Sequence, residues 1–185
     1  HPEFEDASTN LATQVQNSVV DAIRTTFDEE PNWASRGVKD SAAGFGEIRI
    51  PSRPAILIEL AFHDDCTRDA LYLTQDDFFK SVAEWGLYKG VCAYFGNTPT
   101  WDKYSCEYVS DTIPATMNPG QVYNCSITLR NRGVCWYGNR GFKLVATANN
   151  DPWFKSVTSV TPPAGIKPGD TWTINLQLTG PIVGG

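Results

Sequence analysis

The stretch Pro54-Ala55-Ile56-Leu57-Ile58-Glu59-Leu60 decides the fold predicted for the first part of the chain. Its residues are apolar on both faces until the run reaches Glu59, which is typical of an interior strand of a parallel sheet. Apolar residues also recur at helical spacing from Leu11 to Phe27, behind a predicted N-cap at Ser8. Further along, the pattern predicts an extended stretch at 47–50 and helices at 65–73 and 75–95. A strand among helices of this kind indicates α/β architecture.

The composition of the whole chain excludes two classes of partner. Among 185 residues, 21 are acidic and 15 are basic, which gives a net charge of −6. Nucleic acid is a poor partner because phosphate binding needs clustered positive charge. No apolar run approaches the roughly 20 residues that a membrane helix needs, so no membrane span is expected. The five cysteines favour an oxidising compartment, and we expect an extracellular, periplasmic or cell-wall location.

The charge balance changes near residue 97 and indicates two units. Acidic residues outnumber basic ones by two to one through Asn97, whereas basic residues are in slight excess from Thr98 onward. The turn-forming stretch Gly96-Asn97-Thr98-Pro99 lies at the change. We therefore predict an α/β unit at 1–97, a linker at 98–107 and a second unit at 108–185.

The second unit has the pattern of an all-β module. Short β-rich runs at 121–129, 142–148 and 172–178 are separated by turn signals. The last run alternates, which places four apolar side chains on one face: Trp172, Ile174, Leu176 and Leu178. This pattern predicts a half-buried antiparallel strand in a β-sandwich.

Glu59 is the most informative single residue of the first unit. A carboxylate at the end of so apolar a run is costly unless it is paired, protonated or close to a metal. At the carboxyl end of a parallel strand it would face the crevice where α/β proteins bind ligands. From its position alone, a salt-bridged acid at a strand end is an equal alternative.

Three motifs occur in a characteristic order around Glu59. A helix beginning near Ser8 is followed by Arg36-Gly37-Val38-Lys39, and then by the 54–60 run with Ala61-Phe62 after it. Over about residues 8–95 this series resembles the C-terminal half of zinc-dependent N-acetylmuramoyl-L-alanine amidases. The resemblance implies a partial amidase-type sheet with flanking helices, and peptidoglycan as the substrate.

The resemblance also implies a role for Glu59. In such an enzyme zinc activates a water molecule that cleaves the amide between N-acetylmuramic acid and L-alanine, and a nearby carboxylate shuttles the proton. Glu59 would be that carboxylate, beside the metal and not bonded to it. The substitution Glu59→Gln should then keep the fold and any zinc while it abolishes hydrolysis.

The metal ligands of the family are not evident in this sequence. They are two histidines and a glutamate from the first half of the domain, whereas this chain contains only His1 and His63, and a zinc site needs at least three protein ligands. We expect either a C-terminal fragment that an upstream half of the same protein completes with zinc, or a scaffold that has lost the metal. The isolated chain is then expected to be inactive.

Three more residues of the first unit are candidate substrate contacts. His63 would line the cleft after the strand, or would cap the next helix and pair with a neighbouring aspartate. Arg36 and Lys39 would hold a carboxylate of the stem peptide, or would tie their turn to the sheet. Both interpretations remain open for each residue.

The second unit loosely resembles tryptophan-bearing immunoglobulin-like domains. The resemblance depends on Asn131-Arg132-Gly133-Val134-Cys135-Trp136, on Ile166-Lys167-Pro168-Gly169-Asp170 and on Gly180-Pro181. Aromatic side chains of this half would either form a platform for sugar rings or pack in the core, and Trp153 is the best candidate for an exposed sugar contact. Disulfides Cys92–Cys106 and Cys125–Cys135 are one pairing among several.

Two other functions compete with the amidase. One is a non-catalytic wall-binding or structural surface protein on an amidase-like scaffold. The other is an adhesin-like module in which the β-rich half binds and the α/β half is a platform. Release of stem peptide and bound zinc would separate the enzyme from the first, and a pull-down on purified peptidoglycan with residues 98–185 alone would address the second.

Overall fold

The computed structural model describes residues 2–27, 30–40, 44–145, 159–163, 165–180 and 182. The chain divides into two compact units, residues 1–103 and residues 104–185. The boundary lies within the stretch that the sequence marked as a linker. Mixed α and β structure is present, with the helices in the first unit and antiparallel sheets in the second.

The first unit contains four α-helices among its described residues: α1 (Glu5–Arg24), α2 (Gly46–Arg49), α3 (Asp69–Gln75) and α4 (Asp77–Tyr94). The three longer ones follow the predicted pattern, with boundaries shifted by a few residues. Ser8 is not the N-cap, because α1 begins at Glu5 and Phe4 precedes it. Asp76 does cap α4, since its carboxylate accepts a hydrogen bond from the Phe79 N–H at 2.9 Å.

The helices α1 and α4 form the core of this unit. Their facing positions bury apolar side chains, among them Val15, Val19, Ala22, Ile23, Phe79 and Val82. Two glycines of α4 let the backbones approach: a Cβ at Gly86 would lie 2.7 Å from the Val19 Cα, and one at Gly90 would lie 2.5 Å from the Val15 Cα. Such distances are below van der Waals contact, so the pairing requires glycine at both positions.

An aromatic cluster extends this core beyond the helix pair. Phe27 packs with Phe79 at 5.6 Å between ring centroids, and Tyr72 stacks on Phe79 at 4.6 Å. Trp33 joins the cluster with its ring 5.2 Å from Phe79. The cluster therefore anchors the chain after α1, because Trp33 is 5% exposed although it lies in irregular structure.

The predicted parallel strand at 54–60 is not formed. These residues belong to no helix or strand, and the described part of the first unit contains no β-strand. The extended stretch predicted at 47–50 was also wrong, since residues 46–49 form α2. A strand is stable only when neighbouring backbone groups pair with it. The described residues of this unit supply none, so the apolar run has no sheet to join.

The second unit is built on a three-stranded antiparallel sheet of order β1-β2-β5, from β1 (Cys106–Asp111), β2 (Val122–Asn131) and β5 (Thr171–Thr179). The short strands β3 (Leu144–Val145) and β4 (Ser159–Val160) form a second sheet. The alternation predicted for β5 is confirmed, because Ile174, Leu176 and Leu178 are buried while their neighbours are exposed. Strand β1 was missed, since its sequence falls partly within the predicted linker.

A buried asparagine holds the two motif turns of this unit together. The Asn131 side-chain amide donates to the carbonyls of Val134 and Ile166, each at 2.8 Å, and its oxygen accepts from the Gly133 N–H at 2.9 Å. The Asn131 carbonyl also accepts from the Gly169 N–H at 2.8 Å. Two of the three stretches that carried the second resemblance, 131–136 and 166–170, are therefore in contact. Breaking these hydrogen bonds would be costly because the Asn131 amide is fully buried.

Among the described residues, no helix is both long enough and apolar enough to span a membrane. Within the described ranges, Cys66, Cys92, Cys106 and Cys125 are unpaired thiols. Neither of the two disulfides considered from the sequence is therefore formed in this structure.

Candidate functional site

The 54–62 segment carries the principal candidate residue and lies against the start of α1. The Ala55 N–H donates a hydrogen bond to the Ser8 hydroxyl at 3.1 Å, which joins the segment to the helix. Beyond this point the apolar side chains face solvent, with Leu57 50% exposed and Ile58 37% exposed. The motif residues of the helix and of the run are thus neighbours, but the run is not in a sheet.

Glu59 is exposed, contrary to the expectation of a carboxylate held in an apolar sheet. The alternative of a salt-bridged acid is not met either, because no ion pair in the described part of the chain includes it. An exposed side chain without a described hydrogen-bond or ion-pair partner is also not held in a fixed orientation for proton transfer. Glu59 would need a partner surface over it to act as a catalyst.

The structure brings a second predicted residue close to this segment. The Arg36 guanidinium lies over the Phe62 ring, 5.3 Å from its centroid, in a cation–π contact. Phe62 is 52% exposed, and His63 follows it in an exposed turn. Arg36 is therefore placed beside the end of the run, whereas Lys39 is exposed without a described contact to it. This contact does not decide between the two roles considered for Arg36, and the described residues of the first unit contain no sheet to which its turn could be tied.

A buried carboxylate that the sequence did not single out fixes the end of the segment. Asp69, at the start of α3, is 4% exposed and accepts a hydrogen bond from the Phe62 N–H at 2.9 Å. Its second oxygen accepts from the Arg68 Nε at 2.9 Å. Both oxygens of this carboxylate are thus satisfied, as a buried charge requires. The acidic residues Asp64, Asp65 and Asp69 were the available signal in the sequence. Their pattern did not indicate that Asp69, at the first position of α3, would be the one that turns back to the Phe62 N–H.

Arg68 links that carboxylate to the aromatic cluster. Its guanidinium lies 5.3 Å from the Trp33 ring centroid and reaches the Glu30 carboxylate at 3.6 Å. The hydrogen bond to Asp69 raises the pKa of Arg68 above its usual value, partly offset by burial. The Tyr72 hydroxyl also donates to Glu30 at 3.3 Å. These contacts form a rigid support for the turn that follows Glu59.

Asp65 stabilises the same turn from the solvent side. Its carboxylate accepts from the Thr67 hydroxyl at 2.8 Å and from the Thr67 N–H at 3.2 Å. The hydroxyl contact is the main cause that lowers the pKa of Asp65 below its ordinary range. One carboxylate oxygen of Asp65 is therefore engaged within its own turn.

Zinc ligands are the next requirement of the predicted chemistry. The described residues contain no group of three or more His, Cys, Asp or Glu side chains that could hold a metal ion. His63 alone cannot form a tetrahedral zinc site, and His1 lies outside the described residues. The described side chains therefore do not fit a zinc centre by themselves.

Most of the aromatic residues of the predicted sugar platform lie within the described part of the chain. Trp153 lies outside the described residues. Trp136 is 5% exposed and Trp172 lies on the inner face of the sheet, so both pack in the core. Trp101 and Tyr104 are exposed, but they belong to different units. The described residues therefore favour core packing for two of the tryptophans considered.

Comparison with known proteins does not add to this description. No protein-family model, no curated protein and no solved structure matches the chain. Function must therefore be inferred from the geometry and chemistry of the residues themselves. What the first unit offers is one carboxylate, Glu59, at the end of an apolar run, next to a turn that Asp69 holds rigidly.

Proposed function

We propose that the first unit is the C-terminal portion of a zinc-dependent N-acetylmuramoyl-L-alanine amidase, a peptidoglycan hydrolase of the cell wall or extracellular space. One observation carries the proposal: the apolar run that leads to Glu59 exposes Leu57 and Ile58 and belongs to no sheet within the described residues. A run of this kind is stable when neighbouring strands cover and pair with it. We infer that it completes a sheet with an upstream part of the same protein.

The exposed apolar surface supports that proposal on energetic grounds. Leu57 and Ile58 together with Phe45, Ile50 and Phe62 give residues 45–62 an unusual number of exposed large apolar side chains. Isolated exposed apolar residues are ordinary, but a concentration in one segment marks an interaction surface. Burying one such side chain contributes about 1.5–3 kcal/mol. A sheet laid against this segment would therefore bind it firmly.

The proposed role of Glu59 follows from its position in the run. At the carboxyl end of a parallel strand its side chain would enter the ligand crevice. Beneath a neighbouring sheet, its carboxylate would be positioned to take a proton from water and give it to the leaving amine. Arg36, Lys39 and His63 are proposed as substrate contacts at the same edge. Trp153 is proposed as a sugar contact of the other unit.

We assign the zinc ligands of the proposed enzyme to residues other than the described side chains of this chain. In the proposed intact enzyme zinc would supply the activated water, and its ligands would come from the part that covers the 54–60 run. The contribution of the described residues is then limited to proton transfer and to positioning. Asp69 and Arg68 hold the turn after Glu59 and would keep its carboxylate aimed into the crevice.

For the second unit we propose an immunoglobulin-like sandwich. The support is the antiparallel sheet β1-β2-β5 with a second small sheet, and the contact that Asn131 makes between the two turns of the motif. Such modules usually bind or space other domains. We assign no catalytic group to it.

The direct test compares hydrolysis by the full gene product and by its variants. Purified peptidoglycan is incubated with zinc, and the release of stem peptides is followed as new L-alanine amino termini. The full gene product should release peptide and Glu59→Gln should abolish release, because the amide cannot exchange the proton. Glu84→Gln is the matched control, since Glu84 is an exposed carboxylate on α4.

Three readouts decide the outcome. Circular dichroism and bound zinc should be the same in Glu59→Gln as in the parent protein, so that loss of activity reports chemistry and not folding. Retention of activity in Glu59→Gln would contradict the assigned role. Absence of both zinc and peptide release from the full gene product would instead support a wall-binding protein without catalysis.

A further inference from the structure

The outer face of the second unit's sheet carries an uncharged polar array. All five outward side chains of β5 are exposed and polar: Thr171, Thr173, Asn175, Gln177 and Thr179. The paired outward positions of β2 are likewise polar and uncharged from Asn124 to Thr128. These eight outward positions, five in β5 and three in β2, carry no charged side chain, whereas about a quarter to a third of surface residues are usually charged.

Hydrogen bonds between neighbouring strands hold these side chains in place. The Gln177 amide donates to the Asn124 oxygen at 3.1 Å, and the Thr128 and Thr173 hydroxyls lie 3.0 Å apart. Toward β1, the Ser126 hydroxyl of β2 lies 3.2 Å from the hydroxyl of Thr112, the residue after β1. Because each pair is already fixed, a ligand would order few additional rotamers on binding.

The geometry of the array is that of a regular lattice. Side chains on one face repeat about every 6.8 Å along a strand and about 4.8 Å between strands. Hydroxyl and amide groups both donate and accept hydrogen bonds. The surface therefore matches an extended ligand with many hydroxyl or amide groups of either polarity.

The charge of the face narrows the class of ligand. No cation lies among the outward residues of β5 or of β2 between 124 and 128, so an acidic peptide or a nucleic acid gains no charge-assisted contact there. The array is bounded at both ends of the ladder. Arg130, which pairs with Thr171, forms an ion pair with Glu107 at 3.6 Å, and Val122, which pairs with Thr179, is 57% exposed. No large apolar side chain interrupts the same positions, so an apolar partner gains little either.

We propose that the outer face of β2 and β5 binds a neutral polysaccharide chain through its hydroxyl and acetamido groups. The choice of the peptidoglycan glycan strand as the natural ligand rests on the proposed function of the first unit. The polysaccharide chemistry rests on the face alone. The site is distinct from the aromatic platform considered from the sequence, because Trp172 and the other inward residues lie on the opposite side of the sheet.

The test uses the whole 185-residue chain, which is expected to be inactive by itself, so that the probe stays intact during the measurement. Binding is measured by co-sedimentation with three insoluble probes, namely purified peptidoglycan, chitin and cellulose. The double variant Asn175→Ala/Gln177→Ala should weaken binding about tenfold, since two hydrogen-bonding side chains are lost. Asn139→Ala is the matched control, because Asn139 is an exposed amide outside the sheet.

A second variant guards against a folding effect. Thr173→Val keeps the branched shape and the strand preference of threonine while it removes one hydroxyl, and it should weaken binding by a smaller factor of about three. Binding to peptidoglycan and chitin but not to cellulose would assign recognition to acetamido groups, and binding to all three would assign it to hydroxyl groups. Absence of binding to every probe, or equal binding by the parent chain and both variants, would overturn the proposal.

The test of polysaccharide binding and the test of amidase activity can succeed or fail independently. Loss of binding in the face variants with peptide release intact in the full gene product would support both proposals. Failure of peptide release with normal binding would overturn only the amidase. Normal release with no polysaccharide binding would overturn only the proposal for the face.

Discussion

Two stretches with apolar patterns, residues 171–179 and residues 54–60, adopt different structures in this molecule. Residues 171–179 form β5, where every second side chain is buried and the backbone pairs along its length with β2. Residues 54–60 have a more uniformly apolar sequence but form no strand, and Leu57 is half exposed. Hydrophobicity alone therefore does not create a strand: backbone pairing with a neighbour is the second requirement.

The pattern within each run explains the difference. Alternation in β5 matches a sheet with one covered and one solvated face, and the second unit provides that sheet within the chain. The uniform run at 54–60 matches a strand covered on both faces. Such a strand needs more neighbours, and the described residues of the first unit offer only helices.

The largest expected effect contrasts one leucine from each run. Leu176→Ala removes a side chain that is 4% exposed in the sheet core, and should lower the free energy of unfolding of the second unit by about 3 kcal/mol. Leu57→Ala should change the stability of the first unit by less than about 0.5 kcal/mol, because that side chain is half in water. Denaturant unfolding of both variants checks the contrast, and equal effects would break it.

A smaller effect is expected where the 54–62 segment is anchored. Asp69→Ala removes the acceptor of the Phe62 N–H and one of the two carboxylates that contact Arg68, and should cost the first unit about 2 kcal/mol. Faster hydrogen exchange at Phe62 should accompany the loss. Asp64→Ala, which removes an exposed carboxylate nearby, is the control. Unchanged exchange at Phe62 in Asp69→Ala would show that the anchor is unimportant.

The smallest effect concerns a surface pair on the sheet side of the comparison. The Tyr108 hydroxyl donates to the Asp111 carboxylate at 2.5 Å, and this bond, with the Ile113 N–H, lowers the pKa of Asp111. The same bond raises the pKa of Tyr108. The Asp111 contribution to stability is present above the ordinary carboxyl pKa and is lost as pH falls through the lowered value. The Tyr108 contribution is present below the ordinary phenol pKa and is lost as pH rises through the raised one.

Removing the hydroxyl tests that pair directly. In Tyr108→Phe the pKa of Asp111 should rise toward its ordinary value, although the Ile113 N–H still stabilises the ionised form. Titration of the Asp111 carboxyl carbon by NMR measures the change, with Tyr104→Phe as a control in the same unit. An unchanged titration would show that the hydroxyl does not set the proton affinity of Asp111.

Local patterns predicted the helices and the strand β5 because their periodicity reports which face is buried. The spacing from Leu11 to Phe27 located α1, and the alternation from Trp172 to Leu178 located β5 with its inward residues. The place of Glu59 could not be predicted in this way. Its burial depends on whether other strands are present, which is a property of the assembled sheet and not of residues 54–60.

The supports of the candidate site were missed for a related reason. The bond from Phe62 to Asp69 and the contact of Arg36 with Phe62 join residues whose proximity depends on the path of irregular chain. No periodic signal specifies such a path. In the second unit the Asn131 contacts are also long-range, but there the motif residues had marked both turns.

The central claim is that the 54–60 run is a sheet strand that presents Glu59 once neighbouring strands cover it. Hydrogen exchange of the backbone amides from Ala55 to Leu60 tests this most directly, in the 185-residue chain and in the full gene product, which the proposal takes to include the upstream strands. The account predicts fast exchange in the chain and strong protection in the full gene product. Equally fast exchange in both would contradict it, because the run would then have no sheet to join and Glu59 no crevice to face.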